Sequence, residues 1–288
     1  MGLNMKIGMH WIGHPGSLGW IVDRGEESVE DEIVTSESRS MGGGVRLAVS
    51  RDRPNRSWSF SIPESHSDEV SHIRTLLTAT LPPYQLVTSD AQVSNVLTPE
   101  RSTMQSLIAP SAGLGMAGGW PKADGTWTTI TRTNPAAAGG AQGLVRVGPA
   151  PTPPIWTGRK VTVSEWLATS RAGGAYIILD WLDAAGAQIG SGVFGNSVTG
   201  LDMLRRSTVT ATPPWGAVAC RIGTLYAELI GEPQVTWTDA PTPEWSIGEG
   251  ADRIHIAASS RSTEWTVADS YERRRKDYSF TLREVGPR

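Results

Sequence analysis

The sequence predicts an all-β fold with one helix, and three observations carry that reading. Short runs rich in β-branched and aromatic residues recur between residues 155 and 246: 161–167, 176–182, 205–210, 216–222 and 234–239. Each is bounded by Gly, Pro, Asp or Asn, and no helical period separates them, which is the pattern of a sandwich or barrel. The 288 residues also hold 32 glycines and 19 prolines, as a turn-dense β protein requires. The terminal run 277–285 alternates, with Tyr278, Phe280 and Leu282 on one side and Ser279, Thr281 and Arg283 on the other.

In chain order, residues 5–22 alternate weakly around a Gly13-His-Pro-Gly turn and read as two strands, or a strand and an extended arm. Residues 24–40 are acidic and Ser-rich, a solvated loop by composition. Strands follow at 45–49 and 57–62. The helix is expected from Pro63 to Leu81: Ser65 and Asp68 have capping-box-like spacing, and Val70, Ile73 and Leu77 form one stripe. Pro82 and Pro83 stop it. A strand at 84–88 leads out of this first unit. Residues 120–132 look like a hairpin, and 135–154 like a flexible loop with a stiffer proline-rich end. After Trp245 come strands at 253–257, 264–267 and 277–285. That tail is too small to hold a core alone. It is expected to return and complete the first unit, so that residues 1–88 with 250–288 form one domain and 89–249 an inserted second. In the run 161–167, Val161, Val163 and Leu167 share one side while Thr162, Ser164 and Trp166 share the other.

Composition excludes some functions. A net charge of −3 gives no electrostatic reason to expect nucleic acid. Cys220 is the sole cysteine, so no internal disulfide forms and a buried thiol is expected. The N-terminus has no apolar run of signal-peptide type, and no stretch has the length of a membrane span. Synthesis in the cytoplasm is expected, with any outside role needing a carrier. Twelve tryptophans outnumber Tyr and Phe together, which suits broad flat contacts as well as core filling. There is no Gly-x-Ser-x-Gly, no His-Glu-x-x-His and no phosphate loop, and the five histidines read as structural. The chain is not expected to be an enzyme.

Two resemblances add to this. Asn95-Val-Leu97, Val163-Ser-Glu-Trp166, the hairpin Leu179-Asp-Trp-Leu-Asp-Ala-Ala-Gly186, Gly216-Ala-Val-Ala219 and Trp237-Thr-Asp239 follow the order of jelly-roll carbohydrate-binding modules. The match covers about residues 89–248. Over nearly the whole chain, Trp11-Ile-Gly-His-Pro-Gly-Ser-Leu18, Trp58-Ser-Phe-Ser-Ile-Pro63, Gln92-Val-Ser-Asn-Val-Leu-Thr-Pro-Glu100 and Thr236-Trp-Thr-Asp-Ala-Pro-Thr242 resemble phrases of minor tail proteins of long-tailed actinobacteriophages. So does Tyr278-Ser-Phe-Thr-Leu-Arg-Glu-Val-Gly286. The resemblance implies a distal-tail-type protein: a tail-tube-derived β-sandwich that forms a hexameric ring and carries a jelly roll outward. Its implied partners are the tail tube, the tape measure, the tail-tip hub and a host cell-wall glycan, and its implied place is the virion. Asp239 stands where such modules often hold a structural calcium, although one carboxylate is little for an ion that takes 6–8 oxygens.

For sugar contact the candidates are Trp166 and Trp181 as stacking rings, Thr162 and Ser164 as hydroxyls on the parity of Trp166, and Asp180 as a hydroxyl acceptor. The opposing reading makes both tryptophans sandwich core. Trp120, Trp127, Trp156 and Trp215, beside Gly or Pro, are expected in loops, at a cleft rim or against another subunit. Glu165, Asp180 and Asp183 are the carboxylates flanking the best strands. Asp183 reads as a turn residue, and Glu165, on the parity of Val161 and Val163, as one at a sheet end or paired. The competing functions are a secreted carbohydrate-binding accessory protein of a glycoside hydrolase system and an enzyme on a jelly roll.

Overall fold

Antiparallel ladders organise most of the chain. The structure, a computed structural model, describes residues 10–14, 20–22, 26–32, 35–39, 45–49, 55–65, 84–103, 115–132, 144–146, 153–240, 242, 244–262 and 276–284. The N-terminal strands are β1 (His10–Gly13), β2 (Trp20–Val22), β3 (Glu26–Glu32), β4 (Thr35–Arg39), β5 (Val45–Val49), β6 (Asn55–Ser65) and β7 (Tyr84–Val87). Two helical turns follow, α1 (Ser89–Val93) and α2 (Pro99–Ser102). Then come β8 (Gly115–Pro121), β9 (Trp127–Arg132), β10 (Leu144–Arg146), β11 (Val161–Thr169) and β12 (Tyr176–Leu182). After these are β13 (Gln188–Phe194), β14 (Gly200–Ala211), β15 (Ala219–Leu225) and β16 (Leu229–Thr236), and finally β17 (Ala251–Ser262) and β18 (Lys276–Glu284). The chain divides into two compact units. One is Met1–Ile12, Trp20–Leu86 and Arg253–Arg288; the other is Gly13–Gly19 and Val87–Asp252.

In the first unit a seven-stranded sheet runs β2-β1-β7-β17-β18-β6-β3. The two C-terminal strands sit inside this order because their alternation supplies an apolar face. Phe280 lies opposite Phe60 and Leu282 opposite Trp58, and all four are buried. The Phe60 and Phe280 rings stack at 5.0 Å, with the buried His10 ring edge-on to Phe60 at 4.9 Å. Arg56 bridges to Glu284 at 3.0 Å and lies over the Trp58 ring.

Two expectations change here. The acidic stretch 24–40 is not simply a loop, since it contains β3, paired with β6, and β4, paired with β5. Ladder pairing with β6 along the whole of Glu26–Glu32 outweighs the poor strand propensity of Glu and Ser. Pro63, Glu64 and Ser65 belong to β6 and not to a helix start; the rest of the expected helix, 66–81, lies outside the described residues.

The second unit is a β-sandwich. Its five-stranded sheet runs β14-β11-β16-β9-β8 and its four-stranded sheet β10-β15-β12-β13. The inner faces carry Val161, Val163 and Leu167 from β11, Ile177 and Leu179 from β12, Ile222 from β15 and Val235 from β16, all buried. Cys220 is there too, and burial pushes its thiol up to about 12. Residues 120–132 form the expected hairpin, β8 with β9. The two helical turns were not foreseen. Thr88 caps α1 by accepting the Ala91 N–H, and Pro99 opens α2 after Thr98.

Asn95 fastens the segment between these turns to the sheet. Fully buried, it donates to the carbonyls of Pro233 and Ser246 and accepts from the N–H groups of Leu97 and Val235. The C-terminal stretch closes over the same segment. Gly248 donates to Ser102 Oγ at 2.7 Å, and a Cβ there would sit 2.1 Å from the Leu97 carbonyl oxygen. Since backbone is the obstacle, no rotamer relieves it. Gly248→Ala is expected to destabilise this unit by about 3 kcal/mol, the upper range for overpacking, read as a fall in its urea midpoint with an unchanged slope. An unshifted midpoint would mean the stretch 246–250 does not close the unit.

Candidate functional site

The sequence candidates do not meet in one place. Thr162, Ser164 and Trp166 project from the outer face of the five-stranded sheet, but that face is closed by the protein itself. The Thr162 hydroxyl bonds Thr210 Oγ1 at 2.8 Å and donates to the Thr238 carbonyl at 2.7 Å. Ser164 Oγ accepts from Arg206 at 2.8 Å, and the same guanidinium donates to Gln234 and to the Thr242 carbonyl. Burial lowers the Arg206 pKa below its usual value. Gln234 in turn donates to Ser94, Thr242 and Glu244. Thr242 and Glu244 are thereby bound across this face, and both Thr162 and Ser164 are buried.

Trp166 is half-buried and packs on Ala168, Leu204 and Leu229 beside Trp120. Lys122 sits 5.0 Å over its ring, held there by Glu232 at 2.9 Å, so a cation already occupies the stacking face. Trp181 is 3% exposed and points inward with Ile177 and Leu179. Opposite it lies Cys220. Of the two tryptophans expected to contact a ligand, Trp181 is interior and Trp166 is half-buried with Lys122 over its ring.

Glu165 also points inward, opposite Ser207. It is fully buried, neither carboxylate oxygen has a hydrogen-bond partner among the described residues, and burial raises its pKa to about 8. It is neither at a sheet end nor paired. Asp180, by contrast, points away from the core on the outer face of the four-stranded sheet. Its Oδ2 accepts two bonds from Arg221, at 3.1 and 2.8 Å. Its Oδ1 is covered by Gly192, where a Cβ would lie only 2.7 Å away. Asp180 thus positions Arg221 and is not itself open to a hydroxyl.

That outer face holds the groups a ligand could meet. A bulge in β13 opposite Asp180, with Gly190 at φ 68°, widens the strand. Register puts Tyr176, Ile178, Asp180 and Leu182 of β12 on this face, with Arg221, Gly223 and Leu225 from β15 and Gln188 and Phe194 from β13. At one end the rings form a row. Phe194 meets Tyr176 edge-on at 5.5 Å, and Tyr176 meets Tyr226 at 6.1 Å. The Arg171 guanidinium lies 3.6 Å over Tyr226. Phe194 is 56% exposed, and Tyr176 and Tyr226 are half-buried. At the other end stand Arg221 and Gln188, joined by a bond of 3.0 Å. Gly223, directly opposite Ile178, puts no side chain between the two ends. From Tyr176 to Asp180 the strand rises ~13 Å. The face can stack a flat apolar ring on aromatics and offer hydrogen-bond donors a short distance away.

Sequence reasoning missed β13, and with it Phe194, because Gly190, Ser191 and Gly192 are poor strand formers in the middle of the run. Only the apolar pair Val193-Phe194 after those glycines signalled a strand. Among the other tryptophans, Trp215 is 93% exposed beside Pro214, Trp127 opens β9, and Trp156 carries Arg159 on its ring at 3.7 Å. Asp183 accepts from Ala185 and Ala187 as a turn residue does. Asp239 is exposed and pairs with Lys160 at 3.6 Å. Among the described residues no group of three His, Cys, Asp or Glu side chains stands where it could hold a metal.

No family model matches the chain, and no curated protein matches it. Among solved structures it is similar to the enzymatically active domain of Bacteriophage CBA120 tailspike protein 4, at 10% identity and TM-score 0.34, over 49% of this chain and 21% of that one. It is similar also to the CBM22-1–GH10 modules of Clostridium thermocellum endo-1,4-β-D-xylanase 10B, complexed with xylohexaose. There the identity is 9% and the TM-score 0.36, over 54% of this chain and 30% of that one. A third likeness is to the infectious bursal disease virus VP2 subviral particle, at 10% identity and TM-score 0.22, over 99% of this chain and 69% of that one. The chain thus spans less than a third of the length of the first two. At these values the likeness is one of β-rich shape, and the reading of the site rests on its own residues.

Proposed function

We propose that this chain is a structural tail-tip protein of a phage, and that its Val87–Asp252 unit displays a glycan-binding face for attachment to the host surface. The observation that carries the glycan reading is the row Phe194–Tyr176–Tyr226 beside Arg221 and Gln188 on an outer sheet face. Sugars present C–H faces that stack on such rings and hydroxyls that pair with such donors and acceptors. A ring contributes ~1 kcal/mol beyond its buried area, and each polar contact about as much. One site therefore binds near the millimolar level, a ΔG of about −4 kcal/mol. It binds without hydrolysis, because Asp180 is held by Arg221 and among the described residues no second carboxylate faces it on the sheet, whereas glycoside cleavage takes two.

The tail-tip part of the reading is supported by the sequence phrases shared with minor tail proteins. A hexameric ring docked on the tube and hub would place six copies of the weak site together, and avidity would make it effective. The glycan is a polysaccharide of the host cell wall.

Purified protein at micromolar concentration is expected to run as a hexamer of about six times 31 kDa, rounded from the chain mass of 30.9 kDa, and to pull down host cell walls in a manner competed by soluble wall glycan. A monomer with no ring in particles removes the tail-tip reading. Failure to bind any wall fraction makes the second unit a spacer.

A further inference from the structure

Resting on that glycan reading, we propose that the outer face of the four-stranded sheet takes an acidic polymer. Its carboxylate or phosphate groups are held by Arg171 at one end of the aromatic row and by Arg221 at the other. The argument starts from what the face leaves unclaimed. The Arg171 guanidinium carbon lies 3.6 Å from the Tyr226 ring centroid, and the residue is exposed and makes no ion pair or hydrogen bond with another side chain among the described residues. A planar fork of that kind matches a carboxylate or phosphate through two parallel bonds.

Arg221 spends Nε and Nη2 on Asp180 and Gln188, and Nη1 remains unclaimed among the described residues. The neighbouring carboxylates are engaged in part: Asp180 Oδ2 accepts from Arg221 while its Oδ1 is buried with no partner among the described residues, and Glu228 accepts the Ser170 N–H and hydroxyl through one oxygen. The donors left at the two ends are those of Arg171 and Arg221. Tyr226 follows Arg221 by five positions, on the order of 16 Å along an extended strand. A polymer with repeated charge can span that separation while its ring faces lie on Phe194 and Tyr176.

The test titrates the full chain with three probes: polygalacturonate, the same polymer with its carboxyl groups reduced to alcohols, and poly(glycerol phosphate). Polygalacturonate or the polyphosphate is expected to bind at least tenfold tighter than the reduced polymer, and to weaken as salt is raised. Whichever acidic polymer binds tighter identifies the anion as carboxylate or phosphate. Arg171→Gln should lose most of that advantage while keeping its affinity for the reduced polymer, and Arg171→Lys, with the charge but no fork, should fall between. Equal affinity for acidic and reduced polymers, with loss of both in Phe194→Ala, overturns the acidic ligand and leaves the glycan reading standing. Absence of binding to all three probes and to wall glycan overturns both.

Discussion

The Val87–Asp252 unit is expected to unfold more easily as pH rises from about 4 to about 8, and Glu165→Gln to lose that dependence. The cause is a carboxyl group with no partner in the sandwich interior, held protonated because ionising it there would leave a bare charge. Below the unfolded value of about 4.3 both states carry the proton, and the linkage contributes nothing unfavourable. Between that value and about 8 the unfolded chain ionises while the folded one does not, so each pH unit favours unfolding. Above about 8 both ionise and the slope levels. At ~1.4 kcal/mol per unit the whole span amounts to roughly 5 kcal/mol, an upper bound because local opening can relieve part of it. Urea midpoints of the unit across pH 4 to 9 read the effect, with Glu165→Met expected to be more stable than wild type at pH 8. Parallel pH curves for wild type and Glu165→Gln would show that the carboxyl finds a partner.

Asn95→Ala is expected to cost the same unit about 3–4 kcal/mol. The side chain makes four hydrogen bonds from a fully buried position. Removing it leaves the Leu97 and Val235 N–H groups and the Ser246 carbonyl short of a partner, each costing about 1–3 kcal/mol if dry. The Pro233 carbonyl loses less, since Trp245 Nε1 still donates to it. Asn95→Asp separates the two halves of the effect, since it keeps the acceptor and removes both donors. Hydrogen exchange at Leu97 and Val235 should rise most. If Asn95→Ala unfolds at the wild-type midpoint, the segment 94–98 is an appendage and not a clasp.

Strand identity was legible where a run alternated or was β-branched, as in 161–167, 176–182 and 277–285, which the structure extends or shifts to 161–169, 176–182 and 276–284. In the C-terminal run the expected shared face of Phe280 and Leu282 is the buried one. Strands built from poor strand formers were not legible, because β3 is chosen by its partner β6 and β13 by its partner β12. The site was misread for a related reason. Parity correctly sets Thr162, Ser164 and Trp166 apart from Val161 and Val163, but parity cannot say that Arg206, Gln234 and Thr242 close over that face. It also placed Asp180 and Trp181 on opposite sides without saying which side was the core. The tyrosine and phenylalanine row draws on β12, β13 and the residue after β15, which the sequence keeps 18 to 50 residues apart.

Calorimetric titration of host-wall glycan against wild type, Phe194→Ala, Tyr176→Ala, their double variant and Trp166→Phe tests the central claim most directly. Wild type is expected to bind near the millimolar level. Each single variant should weaken binding about fivefold to tenfold, a loss of ~1 kcal/mol for a stacked ring. The double variant should show no heat, and Trp166→Phe should bind as wild type does. Binding that survives in the double variant and disappears in Trp166→Phe, with all proteins folded, would contradict the account and place the ligand on the five-stranded sheet.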